Sequence, residues 1–128
     1  MIVYYRMCNI PSTNPPPVFE HDKYRLNRLC LKSFVEVYKD IKPHVVFICD
    51  HCTPEYTDMI EELVPFTKDI VHTQMGINET CLYQYQLYSA TTEPTVVFAE
   101  CDYYWLKPIT EHHLEVLDLV SPYDHPDF

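Results

Sequence analysis

Apolar residues along this chain occur in two patterns. The first is the short unbroken run. Val45-Val46-Phe47-Ile48-Cys49 and Thr95-Val96-Val97-Phe98-Ala99 each read as a strand buried on both faces. Ile2 to Arg6 is a β-rich opening segment, and Asp69 to Thr73 a shorter strand. The second pattern has helical spacing. Leu26, Cys30, Phe34 and Val37 recur on one face of a helix predicted from Lys23 to about Asp40, with Asp22 as its cap. Thr53 followed by Pro54 starts a helix that runs to about Leu63, ahead of Pro65. Asn78 is placed to cap a third helix to about Ala90, with Leu82, Tyr85 and Tyr88 or Ala90 on one face. Thr110 is placed to cap a fourth through Leu117, and Leu119-Val120-Ser121 begins a further strand.

Strands alternating with helices predict an α/β domain: a Rossmann-like, mostly parallel sheet with helices on both faces. Ligands of such sheets bind beyond the carboxyl ends of the strands. Those ends are Arg6 and Met7, Asp50, Thr73 to Gly76, and Glu100 to Asp102. The 128 residues fit one domain over residues 1–128 with its own core. Between the first strand and first helix, Pro11, Asn14 and Pro15-Pro16-Pro17 mark a long loop.

Composition narrows the chemistry. One glycine, Gly76, excludes the Gly-rich phosphate cradles. Nine basic against 19 acidic residues give a net charge of −10, which argues against nucleic acid or an anionic membrane as partner. The N-terminus is too short and polar for a signal peptide, and no apolar run approaches the ~18 residues of a membrane span. A cytoplasmic location is the expectation. Of six cysteines, only Cys49 and Cys52 have a suggestive spacing.

Four groups are candidates for chemistry. Glu100 and Asp102 follow a buried strand at i, i+2, so an extended backbone points both to one side. Such a pair suits a divalent cation, Mn²⁺ or Mg²⁺, that keeps positions for water and phosphate oxygens. Asp50 ends the other buried strand, where an acid accepts hydrogen bonds from a base or ribose. Tyr123-Asp124-His125-Pro126-Asp127 gathers possible ligands or an acid–base set. Cys49-x-x-Cys52 lies between a strand and a helix beginning with Pro54, and Pro94 precedes a later strand. That is the layout of a thioredoxin-like thiol oxidoreductase. Against it, no hairpin signal follows the Pro94 strand.

With these residues in view, the chain resembles a family of small GT-A type glycosyltransferases with bacterial and large-DNA-virus members. The likeness lies in Val3 to Arg6, Asn27 to Phe34, Val45 to Cys52, Asn78 to Tyr88, Val97 to Tyr103 and Ser121 to Pro126. Its most specific pieces are Tyr-Asp-His-Pro and the acidic segment, which resembles the family's Asp-x-Asp metal motif with Cys101 in place of a middle acid. The resemblance implies a GT-A-like fold and transfer of a sugar from a nucleoside-diphosphate sugar, a UDP-sugar favoured, to a glycan or other hydroxyl acceptor. It implies that Asp102 binds the cation on the donor diphosphate and that Glu100 orients its water or binds the ribose. It further implies that Asp50 recognises the base and that Tyr5, Arg6, Met7, Asn78, Tyr83 and, through its backbone, Gly76 approach the donor. Asp124 and His125 fall where acceptor chemistry begins, and related chains continue beyond this point, so the chain is expected to hold the donor half and lack the acceptor part. If viral, it would act in the host cytoplasm. A non-catalytic nucleotide-binding α/β domain is the other alternative to the transferase, beside the thiol oxidoreductase.

Overall fold

The computed structural model describes residues 1–10, 19 and 21–110. The expected fourth helix, the strand at Leu119, and Asp124 and His125 lie outside the described residues. Within them the chain alternates strictly: β1 (Ile2–Cys8), α1 (Lys23–Tyr38), β2 (His44–Asp50), α2 (Pro54–Leu63), β3 (Lys68–Thr73), α3 (Ile77–Ala90) and β4 (Val96–Glu100). The four strands form one parallel sheet in the order β3-β2-β1-β4. The fold is α/β and Rossmann-like, as the alternation predicts.

Side chains alternate across β1, and that alternation sorts the helices. Val3, Tyr5 and Met7 join Val45, Phe47, Cys49, Val97 and Ala99 in the main core, against Leu31, Phe34 and Tyr38 of α1 and Tyr56, Met59 and Ile60 of α2. Ile2, Tyr4 and Val46 point the other way, where Leu87 of α3 covers them. Phe34 is the hinge of the main core: its ring lies 5.2 Å from that of Tyr5, 4.7 Å from Tyr38 and 5.6 Å from Trp105. Truncating a buried aromatic of this kind to alanine costs about 3–5 kcal/mol.

The helix starts show how local chemistry works with this pattern. Asp22 caps α1 as expected, its carboxylate accepting from Arg25 N at 2.9 Å. Pro54 occupies the first turn of α2, where a missing N–H costs nothing. At α3 the structure differs from the expectation. The cap position is Gly76, not Asn78, which is exposed in the first turn. Gly76 has φ 117°, ψ 173°, a conformation that side-chain-bearing residues avoid, so the turn itself fixes the start of the helix.

The buried face of α3 also differs. Thr80 and Gln84 are buried, while Leu82, Tyr85 and Tyr88 are exposed. The reason is polar: Gln84 Nε2 donates to the Tyr4 carbonyl at 3.0 Å, and Thr80 meets Arg6 beneath the helix. Tyr85 and Tyr88 instead lean sideways onto Phe98 of β4. No helix among the described residues is long and apolar enough to cross a membrane.

The strand order creates one position of note. The chain steps from β1 to β2 to β3 in one direction, and α3 then carries it back over the opposite face to β4, on the far side of β1. Ligands of this fold class bind beyond the carboxyl ends of the strands, near the point where the crossover direction reverses.

Candidate functional site

The register pairs Arg6 of β1 with Glu100 of β4. Both belong to the face of the sheet that α3 covers, so their side chains meet. Arg6 Nε lies 2.9 Å from each Glu100 carboxylate oxygen, and a terminal guanidinium nitrogen adds a third contact at 2.9 Å. The other terminal nitrogen donates to the Ile77 carbonyl at 2.8 Å and to Thr80 Oγ1 at 3.3 Å. One guanidinium thus ties β1, β4 and the first turn of α3 together. Burial pushes the Glu100 carboxyl up, and Arg6 opposes this only in part. Burial likewise works against the Arg6 charge, but Glu100 more than compensates and raises it.

After Glu100 the chain does not stay extended. A turn, with Tyr103 N donating to the Glu100 carbonyl at 3.2 Å, buries Cys101 and leaves Asp102 exposed. The two carboxylates of the i, i+2 pair therefore differ in kind: Glu100 is held by Arg6, and Asp102 faces solvent. Cys101 fills the core side of the turn, its thiol pushed up to about 12 by burial. Lys23, at the start of α1, is a nearby cation that favours the ionised forms of Glu100, after Arg6, and of Cys101.

Asp50 has a different surrounding. It is buried at the end of β2, and four donors converge on it. Thr73 Oγ1 and Met75 N each donate to Oδ1 at 2.8 Å, Gly76 N donates to Oδ2 at 3.1 Å, and His51 Nδ1 lies 2.8 Å from Oδ2. Burial raises its carboxyl, but these donors outweigh it and hold the group below the usual carboxylate range. Its acceptor capacity is taken up by the chain itself. In this structure Asp50 joins β2 to the β3–α3 loop, and a base or ribose would have to displace those donors.

The remaining expected site residues divide by side-chain direction. Tyr5 and Met7 are fully buried on the α1–α2 side of β1 and do not reach a surface, because the alternation that sends Arg6 towards α3 sends them into the core. Gly76 meets Asp50 through its amide. Asn78 is exposed and Tyr83 half-buried on α3, close in sequence to the Arg6 contact at Ile77. Thr73 and Met75, at the strand end named above, acquire their contact with Asp50 from the pairing of β3 with β2, and Thr80, in α3, acquires its role from its contact with Arg6.

Two expectations about ions and thiols can be set against this geometry. Among the described residues no group of three or more His, Cys, Asp and Glu side chains is gathered to hold a metal. A Mg²⁺- or Mn²⁺-class ion beside a diphosphate takes only one or two carboxylates, the rest being water and phosphate oxygens. Asp102 fits that role. Glu100, bound on both oxygens by Arg6, fits only as an outer partner. For the thioredoxin-like layout, Pro94 is at the wrong edge. It precedes Thr95, whose carbonyl accepts from Ile2 N at 3.1 Å at the amino end of the sheet, whereas Cys49 and Cys52 lie at the carboxyl end. Parallel pairing of β4 with β1 imposes that separation.

No protein-family model matches the chain, and no curated protein or solved structure matches it.

Proposed function

We propose that the protein is a metal-dependent glycosyltransferase domain that binds a nucleoside-diphosphate sugar, a UDP-sugar by preference, at the carboxyl edge of β1 and β4. The observation that carries the reading is the position of Asp102: an exposed carboxylate on the turn after β4, at the carboxyl edge of the sheet where the crossover direction reverses. With a single glycine and a net charge of −10, the chain has little else with which to attract a diphosphate. A divalent cation, when bound, supplies the positive charge that stabilises the leaving diphosphate. Asp102 would hold it, and the Arg6–Glu100 pair would fix the floor beneath. Arg6 is a positioning residue in this reading, because its guanidinium is already engaged by Glu100, Ile77 and Thr80.

The test is calorimetric titration of UDP into the chain with and without Mn²⁺, repeated with GDP and with Asp102→Ala. The reading expects Mn²⁺-dependent UDP binding that the substitution abolishes. Equal affinity in both proteins, or none in either, overturns it. Binding with neither hydrolysis of UDP-sugars nor transfer to any acceptor identifies a nucleotide-binding domain without turnover.

A further inference from the structure

The other end of the carboxyl edge carries groups that the diphosphate reading leaves unused. At His51 the backbone takes a left-handed turn, φ 53°, with His51 N donating to the Thr73 carbonyl at 3.0 Å. After the turn, half-buried Cys52 packs against the core cluster that holds Cys49. The Cys52 thiol is a weak donor to the Met7 carbonyl at 3.4 Å and the Asp50 carbonyl at 3.6 Å. Across the sheet, the register sets His72 of β3 opposite Cys49. These residues border a cleft of about 430 Å³ lined by Cys49, His51, Cys52, His72, Thr73 and Gln74. His51 is already oriented: its Nδ1 engages the Asp50 carboxylate at 2.8 Å, which leaves Nε2 as the ring's second donor atom. A carboxylate behind an imidazole is the usual outer partner of a metal-binding histidine.

We propose that this cleft binds a thiophilic monovalent cation of the Cu(I) class between the sulfurs of Cys49 and Cys52, with His51 and His72 at its mouth. Soft thiolates select soft cations, and the two sulfurs come from one short loop. A four-ligand zinc site is disfavoured, because no three ligating groups are gathered among the described residues. Binding is an exchange without redox change: two S–H protons leave to solvent, two S–metal bonds form, and the cation keeps its charge state. The proposal does not rest on the diphosphate reading.

The experiment uses the full chain with Cys8→Ser and Cys81→Ser, which removes two other partly exposed thiols. Under anaerobic conditions Cu(I) is delivered from its bicinchoninate complex, whose loss of colour reports transfer. One equivalent withdrawn per chain is expected, lost in Cys52→Ser and retained in Asp102→Ala. Circular dichroism checks that Cys52→Ser is folded. X-ray absorption of the loaded parent gives a reading independent of that variant, with two sulfur neighbours around copper expected. No withdrawal, equal withdrawal by a folded Cys52→Ser, a copper shell of nitrogen or oxygen alone, or preferential uptake of Zn²⁺ would each overturn the proposal.

Discussion

Asp50 ends β2 and Asp102 follows β4 at one edge of one sheet, and the chain treats them in opposite ways. Asp50 is enclosed and receives hydrogen bonds from Thr73, Met75 and Gly76, with His51 against its second oxygen. Asp102 stands exposed on a turn whose buried contact is made by Cys101. A carboxylate at a strand end is therefore not by itself a ligand site. What decides is whether neighbouring backbone amides reach it first. The loop after β3 supplies such amides at the Asp50 end. At the β4 end Arg6 satisfies Glu100, and Asp102 is left facing outward.

The most severe way to break this contrast is Asp50→Ala. It strips the acceptor from four donors at once, and a buried donor left unpaired costs about 1–3 kcal/mol. A loss of about 3 kcal/mol in urea unfolding is expected, against less than about 0.5 kcal/mol for Asp102→Ala, an exposed position without such contacts. Similar losses in both variants would erase the distinction.

Arg6→Met comes next. It leaves Glu100, three-quarters shielded, without its cation. Removing one member of a buried pair costs about 3–5 kcal/mol, and the partial exposure here reduces the expected loss to about 2 kcal/mol. The double variant Arg6→Met/Glu100→Gln should recover part of it, which a thermal-unfolding cycle measures. No recovery would mean that the Ile77 and Thr80 contacts, rather than the ion pair, fix Arg6.

Gly76→Ala sharpens the Asp50 end. A Cβ would lie 3.1 Å from a flexible Glu79 oxygen, so space is a minor matter, and the positive φ is the larger cost. About 1–3 kcal/mol is expected from that conformation, measured by urea unfolding.

The pH dependence is the smallest effect. Asp50 is held below its unfolded pKa of about 3.9, so its share of stability is present above that value and is lost as pH falls through the lower folded value. Asp50→Asn should flatten the acid limb of stability against pH between about pH 4 and the onset of acid unfolding. An unchanged limb would show that the four donors do not favour the ionised form.

These contrasts also mark what the sequence made legible. The apolar runs at Val45 and Val96, the Asp22 cap and the Thr53-Pro54 start are local signals, and the chain follows them. The face of α3 was not legible, because Gln84 and Thr80 are buried by polar contacts to Tyr4 and Arg6, residues far away in sequence. The capture of Glu100 by Arg6 depends on β4 lying beside β1, which strand order alone decides. The family resemblance implies that Tyr5 and Met7 approach the donor. Alternation across β1 assigns the strand end to Arg6 and sends its neighbours to the core.

The central claim is that the two strand-end aspartates divide scaffold from ligand binding. Its most direct test is Mn²⁺-dependent UDP titration of Asp50→Asn and Asp102→Asn, at a temperature where both are folded. The account predicts that Asp50→Asn is less stable yet binds like the parent, while Asp102→Asn is as stable as the parent and does not bind. Loss of binding in Asp50→Asn with retention in Asp102→Asn would contradict it.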